Sequence, residues 1–355
     1  VSTRNPRVHR RTLAVLTASH LVDDLYQGAI PALVPFLVLD RGYSYTAAAG
    51  IILAATVLSS VVQPLFGVLA DRRALPWLTP LGLLVAGIGV GLAGVGESYW
   101  WTWSAIALSG LGVAAYHPAA AKAARAAAGP SAQGMSWFAL GGNVGIALGP
   151  VIVTPVLLAF GIAGTPILAL PAVAMALFLY CIRSRKTPTL PRSTTAASDR
   201  ENTASAPDQW RLFGWLTVLV VIRSVMYFGV STVLVLYVIS RFAVTQTAGS
   251  LTLTVFLAVG AVGTLAGGWL ADRLSRLFAI RLGYALCLPS LIMLLAAPSM
   301  VVAVMAVALL GLGLYLPFSV QTTLGHDYLP NHIGTASGVT LGLAVSAGGA
   351  CAPLF

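Results

Sequence analysis

Charge is what this sequence lacks. Only 8% of its 355 residues are Asp, Glu, Lys or Arg, against about 25% in a soluble domain. With 58% hydrophobic residues, that scarcity excludes a water-soluble globule. Cysteine is scarce too. Cys181, Cys287 and Cys351 sit in separate apolar stretches, so neither a disulfide framework nor a metal motif is spelled out by spacing. All three read as small buried hydrophobes. The strict two-residue alternation of a membrane barrel is missing as well; apolar runs recur instead to the end of the chain. No cleavable leader is legible at the start.

What charge there is follows a pattern. Arg4, Arg7, Arg10, Arg11, Arg72, Arg73, Lys122, Arg125, the six basic residues from Arg183 to Arg211, and Arg273, Arg276 and Arg281 fall in the N-terminal tail or in alternate loops. The intervening loops hold only Arg41 and Arg241, and Arg223 lies inside an apolar run. This asymmetry places the N-terminus in the cytoplasm. It assigns the net charge of +10 to topology and anionic headgroups rather than nucleic acid.

The apolar runs predict spans near 13–39, 49–70, 77–96, 101–124, 134–160 and 163–183, then 213–240, 250–271, 279–297, 299–322 and 334–355. A polar Ser/Thr/Pro-rich stretch, 184–211, separates them and reads as a flexible cytoplasmic linker. The expected domains are therefore a six-helix bundle over 1–183, the linker, and a bundle of five helices over 212–355. The last run ends without a basic flank, which suggests truncation and a missing twelfth helix.

The two halves repeat. Gly67-Val-Leu-Ala-Asp71-Arg72 matches Gly268-Trp-Leu-Ala-Asp272-Arg273 at an offset of 272 − 71 = 201. The same offset maps Tyr26 onto Tyr227, Gly28 onto Gly229 and Val22 onto Arg223. An offset of 199 pairs Gly112, Tyr116 and Pro118 with Gly311, Tyr315 and Pro317. A parallel duplication joined by a linker is one of the transporter layouts.

Within the first span, His20, Asp23, Asp24 and Gln27 fall at i, i+3, i+4 and i+7, which is one stripe of a helix. An ionised Asp at bilayer depth costs roughly 2.5–3.5 kcal/mol, so the stripe must face other helices or a polar cavity. A carboxyl group there is a candidate proton carrier, taking a proton on one side and releasing it on the other; His20 would assist. Arg223 stands at similar depth in the other half and is expected to face the Asp pair across a central cavity. A fixed ion pair holding the halves in register is the competing reading. Tyr26 and Tyr227 line the cavity or pack. His117, before the helix-bending Pro118, either meets substrate or satisfies the backbone that the proline frees. Asn143 is a cavity contact or a helix–helix hydrogen bond. His326, Asp327 and His332 read as solvated surface.

The paired Gly-x-Leu-Ala-Asp-Arg stretches resemble the loop signature of the major facilitator superfamily. The resemblance implies an all-α membrane fold of two pseudo-symmetric six-helix bundles. It also implies a loop motif, here Gly67, Asp71, Arg72, Gly268, Asp272 and Arg273, that helps hold one face closed. The aspartates would cap helix N-termini or pair with the adjacent arginines. In detail the chain is similar to the fosmidomycin-resistance efflux group. The likeness rests on Ser19–Pro35, Gln63-Pro64, Tyr116-His117-Pro118 with Arg125, Phe138–Pro150, Tyr315-Leu316-Pro317, Leu329-Pro330 and Gly334–Gly338. Ala119 stands where that group has a Glu. Gly145-x-x-x-Gly149-Pro150 resembles the core of the antiporter motif, without the Gly-Gly that follows it.

The resemblance implies a proton antiporter exporting a small drug-like or anionic metabolite from the bacterial inner membrane. It would work as a monomer, with substrate, protons and lipid as its partners and no cofactor, metal or enzymatic activity. Arg223, Tyr26, Tyr227, Gln27, His117 and Asn143 would contact substrate. A proton-coupled importer or uniporter of an organic anion or sugar derivative, or a truncated non-transporting protein, are the rival readings.

Overall fold

The computed structural model describes residues 8–184 and 206–350, so the linker's centre and Cys351 lie outside the described residues. Helix formation follows the apolar runs. The first unit is built from α1 (Arg10–Arg41), α2 (Tyr45–Val61), α3 (Gln63–Arg72), α4 (Leu78–Leu92), α5 (Tyr99–Ala128), most of α6 (Ala132–Phe160), a 3-10 turn Ile162–Ala169, and α7 (Leu170–Ser184). The second holds α8 (Trp210–Phe242), α9 (Gln246–Arg273), α10 (Arg276–Leu295), α11 (Met300–Tyr315) and α12 (Phe318–Tyr328).

The units do not follow chain order. The first also takes Leu329–Leu343, with α13 (Ile333–Ser337) and a π-helical turn Gly338–Leu343. The second takes Pro130–Trp137, the start of α6, and α14 (Ala344–Ala350). Eight of the described helical stretches are long and apolar enough to cross a membrane. Leu39, Leu158, Leu236, Leu288 and Val301, among others, are exposed; on a soluble protein such surface would be an aggregation patch. Here it is the face for acyl chains.

Small polar residues punctuate the helices. The side chains of Ser44, Ser98, Thr245 and Ser275 accept the backbone N–H three residues on, at Ala47, Trp101, Ala248 and Phe278. Each such cap is worth about 1 kcal/mol. At the other end of α1, Gly42 adopts φ +66° and its N–H returns to the Leu37 carbonyl, a turn that glycine makes without strain.

Three expected spans are interrupted. The 49–70 run breaks at Val62, where Pro64 opens α3. The 299–322 run breaks at Leu316–Pro317, and the Pro317 carbonyl then takes the Gln321 N–H as the helix restarts. The 163–183 run opens as 3-10 helix. In each case a proline denies the ladder one N–H. Its repeat mate Pro118 does not break α5, which runs on to Ala128.

Helix α5 is the axis of the first unit. It packs against α1, α2, α3 and α4. Its buried face is largely alanine and glycine, which lets neighbouring backbones approach. It is not one of the eight stretches long and apolar enough to cross a membrane. Helix α6 approaches α1 closely at glycines: a Cβ at Gly141, Gly145 or Gly149 would collide with the backbone of Thr17, Leu21 or Gly28. The glycines of the antiporter-like motif thus serve contact between two helices, and that contact carries the stripe of α1.

Candidate functional site

The stripe of α1 folds as expected and is buried, apart from the half-buried Gln27. Asp23 is fully buried, and His20 and Asp24 nearly so. What closes around it comes from α5. His117 Nε2 stands 3.1 Å from Asp24 Oδ1, and His20 Nε2 stands 3.2 Å from Asp24 Oδ2. The two Nε2 atoms are 3.3 Å apart. Each imidazole is held from behind. His20 Nδ1 lies 2.7 Å from the Phe138 carbonyl, and His117 Nδ1 lies 3.0 Å from the Val113 carbonyl. A carbonyl only accepts, so both Nδ1 atoms carry hydrogen. In the neutral rings both Nε2 lone pairs then point at Asp24.

Gln27 completes the inner circle by donating from Nε2 to Asp24 Oδ1 at 2.5 Å. Asp23 faces the other side of His117, with Oδ2 3.4 Å from Nδ1, and neither of its oxygens has a hydrogen-bond partner among the described residues. The ring of Phe138 stacks on His20 at 4.2 Å between centroids. Ser19 Oγ and the Tyr116 hydroxyl hydrogen-bond at 2.7 Å beside it.

Gly142 decides whether the cluster fits. A Cβ there would run into Asp24 Oδ2 and the His20 ring, closer than Cβ atoms come to anything. Gly142→Ala is therefore expected to cost about 1–3 kcal/mol by overpacking and to dislodge the carboxylate. A thermal melt of the purified variant, beside an uptake or efflux assay, checks both.

Several expected site residues fall elsewhere. Of its two readings, Tyr26 follows the packed one. It is fully buried; its hydroxyl donates to the Leu168 carbonyl at 3.0 Å and accepts from Ala172 N at 3.0 Å, pinning the 3-10 turn to α7. A phenol engaged on both sides by backbone is scaffold. His117 does not repair the proline break: Pro118 frees the Ala114 carbonyl, whereas the imidazole reaches Val113. Asn143 is half-buried and its Nδ2 has no partner among the described residues. His326, expected on the surface, is buried. Cys181, expected to be buried, is exposed, and Cys287 is buried.

In the second unit Arg223 is 4% exposed. Its Nε donates to Gln321 Oε1 at 3.2 Å, Gln321 Nε2 donates to the Tyr284 hydroxyl at 2.9 Å, and that hydroxyl donates to the Leu219 carbonyl at 2.8 Å. The guanidinium lies 4.8 Å above the Phe318 ring, an attraction that strengthens when water is excluded. Tyr227 stacks on Phe256 and meets Tyr315 edge-on. Gln321, Tyr284 and Phe318 carried no sequence signal; only the fold brings them to Arg223.

The loop motif resolves into a physical device. Asp71 ends α3 and caps α13: Oδ1 accepts from Gly334 N at 2.7 Å, and Oδ2 accepts from Thr335 N and Oγ1, both at 2.7 Å. Asp272 ends α9 and caps α6: Oδ1 accepts from Ala132 N at 2.6 Å, and Oδ2 accepts from Ser131 Oγ at 2.7 Å and Gln133 N at 3.1 Å. The capped helices start at 333 and 132, and 333 − 132 = 201, the offset that relates the two aspartates. One turn before each aspartate, Gly67 and Gly268 admit the capped helix; a Cβ on either would strike its backbone. The cation beside Asp71 is Lys122, 3.3 Å away and also bonded to the Ala70 carbonyl. The arginine partners expected from the motif are not used in this way. Arg72 is exposed, and Arg273 lies over Trp269.

A duplicated, almost wholly helical chain with lipid-facing surface and ionisable groups buried in its helices defines a membrane transporter. The chain belongs to the Major Facilitator Superfamily, whose family model matches residues 16–353. It is 31% identical over 342 residues to the MFS-type transporter YfnC of Bacillus subtilis (strain 168), covering 95% of this chain and 83% of that protein. It is 26% identical over 358 residues to the fosmidomycin resistance protein of Escherichia coli (strain K12), covering 98% of this chain and 86% of that one. Among solved structures, the fold is similar to the transporter FucP in its outward conformation (TM-score 0.73, 15% identity, 98% of this chain and 92% of that one). It is likewise similar to the human organic anion transporter MFSD10 (TM-score 0.72, 16% identity, 98% and 93%).

Proposed function

We propose that this transporter exports a small drug-like or anionic metabolite across the bacterial inner membrane in exchange for protons. Asp24, with Asp23 and His20, is the proton-coupling group. Arg223, with Tyr227 and the polar groups Gln27, His117 and Asn143, meets the substrate. The halves 1–183 and 212–355 alternate access to a midplane site, and the two aspartate caps are released and remade in each cycle. The N-terminus is cytoplasmic, the working form is the monomer, and nothing in the cycle is covalent.

The observation that carries this reading is the carboxylate of Asp24 set between two imidazoles inside a bilayer-spanning bundle. Intramembrane ionisable groups of this kind mark ion pathways. Export, rather than import, is supported by the name of the Escherichia coli relative, since resistance to a drug follows from its removal. Arg223 supports an anionic cargo, because a guanidinium is suited to bind carboxylate or phosphonate oxygens in pairs.

A drug-susceptibility panel of cells with and without the protein should identify compounds to which it confers resistance. Inside-out vesicles should then accumulate such a compound when their lumen is made acid, and lose it when the gradient is collapsed. Accumulation by right-side-out vesicles under an inward proton gradient would instead make the protein an importer.

A further inference from the structure

The cluster on α1 and α5 has the shape of a metal site. His20 Nε2 and His117 Nε2 are 3.3 Å apart, and each is 3.2 or 3.1 Å from an oxygen of Asp24. One donor atom from each of the three residues fits within 4.8 Å of the others. Donors on a tetrahedral shell of 2.0–2.1 Å bonds stand about 3.3 Å apart. The nitrogen–nitrogen spacing therefore matches that around one small cation, and the Asp24 carboxylate offers Oδ2 to His20 and Oδ1 to His117 beside it.

The hydrogen atoms agree with the spacing. Both Nδ1–H groups are committed to backbone carbonyls, at Phe138 and Val113, so both Nε2 lone pairs and the carboxylate converge. Such a backbone carbonyl behind each imidazole is the usual outer support of a metal-bound histidine. Asp23 adds a second carboxylate behind His117, 3.4 Å from Nδ1, and Gln27 steadies Asp24. A single proton bridges one edge of this figure. A metal ion satisfies all its lone pairs together.

We propose that His20, Asp24 and His117 bind one divalent transition-metal ion of the zinc class, with a fourth position open to an exchangeable ligand. Two imidazoles and one carboxylate suit Zn²⁺, Co²⁺ or Fe²⁺. They do not suit Mg²⁺ or Ca²⁺, which take oxygen donors. Sequence spacing concealed the site, because the histidines lie 97 residues apart. The inference stands on donor geometry and does not depend on the direction of transport, although its ligands are the groups assigned above to the proton and the substrate.

The full chain, purified in detergent and stripped of metal, is titrated with Co²⁺ and then Zn²⁺. The expected result is the intense visible absorption of low-coordinate cobalt, saturating at one equivalent and erased by Zn²⁺. Zn²⁺ should also raise the melting temperature, since a ligand that binds only the folded state stabilises it; Mg²⁺ should not. His20→Gln and His117→Gln should each weaken Zn²⁺ by at least the roughly 100-fold that loss of an outer-shell group can cost. His332→Ala, which removes the imidazole paired with Asp208, should leave binding unchanged. Absence of both the cobalt spectrum and the zinc-dependent melting shift in the unaltered protein would overturn the site. So would binding that survives in the two glutamine variants, or binding that disappears with His332. The wild-type readouts decide the matter even if a variant does not fold. Failure of export in vesicles leaves them untouched.

Discussion

Asp24→Asn should reduce gradient-driven export to the level of protein-free vesicles while leaving a folded, monodisperse protein. Asparagine has the shape of aspartate. Its amide oxygen can still accept from Gln27, and its amide nitrogen can donate to one of the imidazole lone pairs now directed at Asp24. Packing around α1, α5 and Gly142 is thus preserved, and what is lost is the negative charge between two imidazoles. Asp23→Asn is the companion. Neither oxygen of Asp23 is hydrogen-bonded among the described residues, so the amide gives up no hydrogen bond there, only the 3.4 Å approach of a charge to His117 Nδ1. Its effect on melting should be small and its effect on export large. Paired transport and melting measurements separate the two outcomes. Undiminished export by both variants would remove the proposed proton carrier.

The second large effect is expected at the caps. Asp71 and Asp272 each accept three hydrogen bonds from a single helix start. Replacing a capping aspartate by alanine costs about 0.5–2 kcal/mol. Here the glycine one turn earlier brings the orphaned N–H groups into close contact with backbone, where water has little room. The upper end of that range is expected. In Asp71→Ala the amides of Gly334 and Thr335 should exchange with deuterium about tenfold faster or more, since roughly 1.4 kcal/mol is a factor of ten. The amides of Ala132 and Gln133 should be unaffected, and Asp272→Ala should show the reverse. The double variant should sum the two losses, because the two caps share no residue or partner. If each cap is remade during the cycle, both single variants should also slow export. Protection unchanged at 334 and 335 would mean that the cap contributes nothing there.

How much of this was legible beforehand depended on sequence distance. The α1 stripe was readable because a period of 3.6 residues places His20, Asp24 and Gln27 on one face, and burial then follows from the cost of charge in lipid. Its completion by His117 was not, since nothing in spacing says that α5 crosses α1 at that height. The motif glycines and aspartates were visible as a repeated pair. What Asp71 caps lies 263 residues away, and what Asp272 caps lies 140 residues away. The breaks at Val62 and Pro317 were hidden because the sequence is apolar on both sides of each, so hydropathy runs through them. His326 was misplaced because polarity alone suggested exposure, whereas the packing of α12 buries it. Tyr26 stayed open between cavity and packing because spacing cannot show the backbone groups that its hydroxyl meets.

The capping contacts carry a consequence for ancestry. Aspartate and target each recur at one spacing of 201 residues, with partners exchanged between the copies, so the two grips are a single grip written twice. That is the signature of an isologous interface, in which residue i of one subunit meets j of the other and j meets i. A half-length precursor would have made this contact with its own twin, as a symmetric pair of separate polypeptides, before fusion turned it into a bond within one chain.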